Sequence, residues 1–375
     1  MALMCLTTEN PEDPRAWSGS AVHFYSALKA KGLLTSVRQI SLPKTTQYYH
    51  QLLSLNPTRE RWREKYNSSV YRFSDLSLIA NKATRTVIDT KAILQIGARF
   101  KPPMNSGLPV FGYFDGNAAM RYRHFDKFGI SQQRKLAHID FEKKAIESMS
   151  AIFVMSHWLA RSFIADYKID KSKIHVVGAG INFRTLPEIP NRTFTNKRII
   201  FIGKEFERKG GNFLLKSFDL ARKTDPALSL TIVGPEARRS DIPGVHFAGF
   251  LSKTNETQHR ILQSLLDSAS MLVLPSEYEP FGISLLEGMA NGLPCITVNN
   301  CAMPEIVVNG STGLVVEYGN TQQFAKSICE LARDNDRSRI FGQAGRARIE
   351  AEFTWPRIAD KIATVLAEKF KITPI

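Results

Sequence analysis

The chain has 375 residues, 43% hydrophobic and 23% charged, with 50 Lys and Arg against 35 Asp and Glu for a net charge of +15. Such a length exceeds one ordinary core and calls for two domains, in a composition typical of soluble globular proteins. No apolar run approaches the roughly 20 residues of a membrane helix, the acids and prolines of residues 1–17 do not fit a signal peptide, and Cys5, Cys295, Cys301 and Cys329 lack metal-ligand spacing or disulfide-scaffold density, so a cytoplasmic protein with free thiols is expected.

The basic excess is lopsided. Residues 1–183 hold 26 basic and 14 acidic residues, +12, whereas the remainder holds 24 and 21, +3. An anionic partner for the first half follows, with a solvated basic face as the alternative. The clusters Arg59-Glu60-Arg61-Trp62-Arg63-Glu64-Lys65 and Arg121-Tyr122-Arg123-His124 mix aromatic and basic side chains as a lipid headgroup surface would require. No aromatic-basic signature for RNA is visible, and no nucleic-acid partner is expected.

In chain order, the loop Asp13-Pro14-Arg15-Ala16-Trp17-Ser18-Gly19-Ser20 follows a first apolar run and opens a helix. Small residues there let backbone N–H groups approach a phosphate or sugar, although an ordinary capped helix reads the same way. Short apolar runs at 92–96, 108–114, 151–155 and 174–177 read as strands. The second of these ends in Gly112-Tyr113-Phe114-Asp115-Gly116-Asn117, where Asp115 suits either a sugar hydroxyl or a turn. Residues 183–197, rich in proline and polar side chains and without hydrophobic periodicity, read as a linker. Strands follow at 198–202, 228–233, 244–247, 271–274 and 294–298, separated by amphipathic helices such as 212–223, 256–268 and 321–333. Apolar strands alternating with helices specify parallel sheets covered on both faces. The expected architecture is therefore α/β, with two Rossmann-like domains, 1–183 and 184–375, facing a central cleft that is the default ligand site.

Two stretches of the second half carry chemistry. After the strand at 198–202, Gly203-Lys204-Glu205-Phe206-Glu207-Arg208-Lys209-Gly210-Gly211 runs as a basic loop into a helix; fixed cations there would stabilise a leaving diphosphate without a metal. In the second stretch, 273–313, Glu279 and Glu287 stand eight positions apart around Pro280-Phe281-Gly282, with a strand ending near Pro275 and a helix starting near Gly282. Both acids then face one cleft beside a helix N-terminus that suits a diphosphate. Carboxylates accept from hydroxyls, so the ligand drawn by these features is a nucleotide sugar.

The E-P-F-G-I-x-x-L-E pattern, followed by G-L-P and P-E-I-V-x-N-G-x-x-G-L-V-V, resembles the donor site of retaining glycosyltransferases of the GT-B type, specifically glycosyltransferase family 4, and the likeness runs from Ser18-Gly19 to Phe353-Thr354-Trp355, weakest between about 40 and 110. It implies that Arg208 and Lys209 bind the diphosphate and act in catalysis with Glu279, which hydrogen-bonds the donor sugar. Lys204 stands where many relatives have arginine. Phe281, Gly282 and Ile283 would offer backbone N–H groups to sugar and phosphate, Glu287 would accept from the ribose, and Phe250 lies where relatives meet the base. Gly19 would face the donor from the first domain, Gly178-Ala179-Gly180 would line the hinge, and the last helix, about 355–370, would cross back onto the first domain. Asp115 departs from the family, since many relatives have histidine there.

The resemblance further implies retention, with the departing β-phosphate as base, a nucleoside-diphosphate sugar as donor and no other cofactor or metal. The acceptor would be a glycan or a lipid-linked hydroxyl, at the inner face of the membrane where the basic half meets anionic lipid. Asp334-Asn335-Asp336 looks like the D-x-D of metal-dependent glycosyltransferases but falls in a surface turn. A GT-B nucleotide-sugar epimerase or hydrolase, and a non-catalytic nucleotide-sugar-binding protein, are the alternatives.

Overall fold

The computed structural model describes residues 3–85, 90–126, 129–183, 185–190 and 192–373. The chain divides into two compact units, residues 1–180 with 355–375, and residues 181–354.

In the first unit the elements are β1 (Leu3–Thr7), α1 (Ser20–Ala30), β2 (Leu34–Gln39), α2 (Lys44–Leu53), α3 (Arg59–Asn67), α4 (Val70–Ala83), β3 (Ala92–Ile96), β4 (Val110–Phe114), α5 (Ala118–His124), α6 (Gln132–Glu147), β5 (Ala151–Val154), α7 (His157–Ala165) and β6 (Ile174–Val176). The strands form one sheet in the order β2-β1-β3-β4-β5-β6, with every pairing parallel. Strands β1, β4 and β5 are buried along their whole length, which explains why they read as continuous apolar runs rather than alternating ones. β2 went unread because it is the sheet edge: Leu34-Thr35-Ser36-Val37-Arg38-Gln39 is largely half-exposed and polar. On one face Met4, Leu6, Phe73, Leu76, Ile93, Phe100 and Val110 form a core that joins strands to α4.

The C-terminal helix Trp355–Phe370 belongs to this unit and packs against α1. Its first residue, Trp355, is buried beside Phe24, with ring centroids 5.3 Å apart. Gly180 lies so close that a Cβ there would fall 2.4 Å from the Trp355 nitrogen.

The second unit contains β7 (Arg198–Ile202), α8 (Gly211–Thr224), β8 (Ser229–Val233), β9 (Val245–Gly249), α9 (Glu256–Ser268), β10 (Met271–Leu274), α10 (Ile283–Ala290), β11 (Cys295–Val298), α11 (Met303–Ile306), β12 (Gly313–Val316), α12 (Thr321–Arg333) and α13 (Asn335–Glu352). Its sheet, also parallel, has the order β12-β11-β10-β7-β8-β9. Sequence order reverses between β7 and β10, and ligands of open α/β sheets bind outside the carboxyl ends of strands at such a switch point.

The stretch 183–197 is not a free linker. Arg184 and Asn191 lie outside the described residues, but the Arg192 guanidinium donates to the carbonyls of Leu266, Asp267 and Asn291 at 2.8–3.2 Å. Phe194 is buried, and Arg346 Nη1 donates to the Pro187 carbonyl at 2.7 Å. Ordered proline and polar residues without periodicity look the same in sequence as mobile ones, because their anchors come from distant helices.

Truncating Trp355 to alanine removes a buried indole from the first unit and is expected to cost about 3–5 kcal/mol. Thermal denaturation followed by circular dichroism checks this; a Tm within a degree of wild type would show that the helix adds little to that core.

Candidate active site

The site of the second unit is built where two loops cross-link at the carboxyl ends of β7 and β10. Beyond β7 the basic loop curls on itself through Lys209 N–H to Glu205 O (2.9 Å), Gly210 N–H to Glu207 O (2.9 Å) and Gly211 N–H to Phe206 O (2.8 Å). Gly210 then caps α8 with φ +76°, and a Cβ on it would lie 1.8 Å from the Pro275 carbonyl oxygen. Only glycine allows this approach. The Glu277 N–H donates back to Arg208 O at 3.0 Å, fastening the loop after β10 to the basic loop.

These contacts gather three predicted residues. Lys209 Nζ donates to Glu279 Oε2 at 2.7 Å, and Arg208 Nη1 stands 3.7 Å from the same oxygen while donating to Tyr278 O at 2.5 Å. Arg208 Nε is held by Glu205 at 2.6 Å. Burial pushes the Glu279 carboxyl up, but Lys209 and Arg208, with hydrogen bonds from Lys209 and the Gly282 N–H, outweigh it and hold the acid below its ordinary value. Burial likewise disfavours the charge on Arg208, and Glu279 and Glu205 more than restore it.

Gly282 has φ +97° and starts α10 with no side-chain cap and no acid in the first turn. The first N–H groups of a helix lack partners within it, so the turn begun by Ile283 is a place for an anion. Phe281, buried against Phe353 at 6.2 Å, fixes the approach to that turn. Glu287, buried in the second turn of α10, is bound by Lys253. Lys204 and Phe250 also meet, the ammonium 5.5 Å from the centre of an exposed ring. Lys253 was missed because it lies outside the motif and only loop convergence brings it in, whereas Glu205 lies within the basic loop and was given no role there. Two buried hydroxyls without a hydrogen-bond partner, those of Ser276 and Ser284, flank the same loop.

Gly19 and Asp115 lie in the first unit. Asp115 follows β4 and accepts from Trp17 Nε1 at 3.1 Å, while Glu9 accepts from the Trp17 N–H. Trp17 thereby keeps φ +51°, an unusual value for a bulky residue, and Gly19 at φ +90° turns the chain into α1. Glu9, Trp17, Arg99 and Asp115 help line a cavity of about 130 Å³. Tyr113 donates to Gly178 O at 2.7 Å, which ties the Gly178-Ala179-Gly180 segment to β4.

The Asp334-Asn335-Asp336 tripeptide begins α13: Asp334 caps it by accepting from the Arg337 N–H at 2.9 Å, and Asp336 pairs with Arg339 at 3.3 Å. Of the two headgroup clusters, the second is largely taken up internally, since Arg121 pairs with buried Glu64 and Arg123 with Asp166.

Residues 183–348 match the family model described as "Glycosyl transferases group 1". This second unit is thus similar to the group 1 glycosyl transferases. A Mycobacterium tuberculosis glycogen synthase is 29% identical to this chain over 205 residues, 52% of this chain and 48% of that one. The chain spans about half the length of this curated relative. Among solved structures, a sucrose-phosphate synthase from Thermosynechococcus elongatus superposes with a TM-score of 0.71 at 18% identity, covering 99% of this chain and 100% of that one. Anabaena HepE in complex with UDP and glucose gives 0.66 at 15% identity, covering 98% and 99%. These structures share the two-domain α/β fold of this chain.

Replacing Lys209 with methionine removes the nearest counter-charge of a buried carboxylate and is expected to cost on the order of 3 kcal/mol, with at least half recovered in the Lys209→Met/Glu279→Gln double variant. Because the Glu279 value is depressed in the folded state, its pairing contributes fully above the ordinary 4.5 and is lost as pH falls through the lower folded value. The stability gap between wild type and Glu279→Gln should therefore narrow below about pH 4. Denaturant titrations at several pH values check both expectations.

Proposed function

We propose that this protein is a retaining, metal-independent glycosyltransferase that moves a sugar from a nucleoside-diphosphate sugar to a glycan or lipid-linked hydroxyl. The observation that carries the reading is the convergence of Arg208 and Lys209 on Glu279, beside the uncapped N-terminus of α10, within a group 1 glycosyl transferase unit. Cleavage of the donor leaves charge on a diphosphate, and two cations already fixed in place need little reorganisation to receive it. Arg208 and Lys209 bind that diphosphate, with Lys204 and the Gly282–Ile283 backbone beside them. This pair supplies the charge for which other enzymes use a metal ion.

Glu279 holds the sugar hydroxyls and stays ionised because the same cations lower its proton affinity. Glu287 accepts from the ribose, and Phe250 offers the base its exposed ring and main chain. The departing β-phosphate takes the acceptor proton, so no enzymic nucleophile is required. In the first unit, Asp115 binds an acceptor or sugar hydroxyl and Gly19 faces the donor. A protein of the same fold, Anabaena HepE, is seen in complex with UDP and glucose, which supports the same ligand class.

Thermal shift against UDP, GDP, ADP and their sugars tests the donor site. One nucleotide should raise Tm by a few degrees, since a ligand at 100 times Kd adds about 2.7 kcal/mol. Glu287→Ala should weaken that ligand about 10- to 100-fold, the loss of charged hydrogen bonds. Arg208→Ala should slow sugar transfer about 100-fold or more with the fold intact. Transfer abolished by a chelator and restored by Mg²⁺ would overturn the metal-free mechanism, and nucleotide release without any acceptor would favour a hydrolase or epimerase.

A further inference from the structure

Helix α2 turns the usual logic of a surface helix inside out. By the 100° step per residue, Tyr48, Leu52, Tyr49 and Leu53 occupy one arc of roughly 140°, and an apolar arc of that kind ordinarily faces a core. Here those four side chains and Leu55 just beyond them are 58–63% exposed, and His50 is the helix's buried residue. The inner side is held by polar contacts instead: His50 Nε2 to Asp75 at 2.8 Å, and Trp62 Nε1 to the Gln51 carbonyl at 2.9 Å. The patch extends onto α4. Tyr71 and Leu78 share the α4 face of Asp75 at helical spacing, and both are more than 60% exposed beside the point where His50 docks.

The charge around this patch has one sign. Residues 44–85 hold eight basic and three acidic side chains. Two of the acids, Glu64 and Asp75, are engaged by Arg121 and His50. Lys44, Arg59, Arg61 and Arg63 are exposed at the start of α2 and along the neighbouring α3. Exposed tyrosines and leucines rimmed by long cationic side chains match a bilayer boundary, where rings and aliphatic tips enter the acyl region while ammonium and guanidinium groups meet phosphates.

We propose that the α2–α3 surface, with Tyr71 and Leu78 of α4, docks the protein on an anionic phospholipid bilayer. The surface is independent of the donor-site reading and needs no bound nucleotide.

Co-sedimentation of the full chain with phosphatidylcholine vesicles, and with vesicles containing about one third phosphatidylglycerol, tests it. Binding is expected to the anionic vesicles at about 0.1 M salt and to fall several-fold at about 0.5 M as charge attraction is screened. Tyr48→Ser/Leu52→Ser should lower the partition about tenfold or more, because each exposed ring or aliphatic chain loses its transfer from water. Arg59→Glu/Arg61→Glu should lower it on anionic vesicles alone. These side chains are exposed, and an unchanged circular dichroism melt shows that the variants fold. Absence of binding at low salt, or binding that none of the substitutions weakens, overturns the proposal. A dimer in analytical ultracentrifugation that Tyr48→Ser/Leu52→Ser dissolves, with no vesicle binding, overturns it in favour of a second copy of this chain.

Discussion

The second unit depends on the close approach of Gly210 to the carbonyl of Pro275. Any side chain at 210 would occupy the space of that oxygen, and the basic loop would have to swing away from the end of β10. With it would go the backbone bond from Glu277 to Arg208, the Arg208 contact with the Tyr278 carbonyl and the Lys209 contact with Glu279. A single permissive backbone position thus decides whether two cations and a carboxylate share one site. The left-handed Gly282 does the equivalent for α10, delivering a helix N-terminus that no side chain of its own occupies.

The resulting cluster is a poor investment if stability were its purpose. Buried ion pairs recover their desolvation cost only with good geometry, and apolar replacements are often at least as stable. Here burial opposes the charge on both Glu279 and Arg208, which Lys209 and Arg208 restore on the acid and Glu279 and Glu205 on the guanidinium. A second buried carboxylate, Glu287, is likewise paired with a lysine, Lys253. On the proposed function, two buried carboxylates, each held by a lysine, keep charged groups in place for a polyhydroxylated anion, which would replace protein partners with its own hydroxyls and phosphates. Preorganised charge of this kind reduces the reorganisation that a reaction would otherwise require.

Much of the architecture could be read from the chain because buried parallel strands need apolar residues on both faces. The runs at 198–202 and 271–274 coincide with β7 and β10, and the helices at 256–268 and 321–333 with α9 and α12. What escaped has physical reasons. β2 is a polar edge strand, and Gly313-Leu314-Val315-Val316 reads as part of a motif rather than as β12. At the site, Arg208, Lys209, Glu279 and Glu287 were legible because they sit within contiguous patterns beside a strand end and a helix start. Lys253 and the Trp17 contact to Asp115 were not, since each joins segments that only the folded chain brings close.

Charge shows the same limit of linear reading. The first-half excess of +12 is a sum, and the fold decides which of its members face solvent. Arg121 disappears into a pair with buried Glu64, Arg123 is engaged by Asp166 and Lys135 by Asp126, so a cluster that looks like a headgroup surface in sequence is partly internal wiring. The same pairings remove acids as well as bases. By drawing Glu64 beneath α3, Arg121 strips that helix of a counter-charge and leaves Arg59, Arg61 and Arg63 exposed beside it. An internal salt bridge therefore shapes the field outside the protein, raising the local positive potential next to apolar α2 without adding a single basic residue.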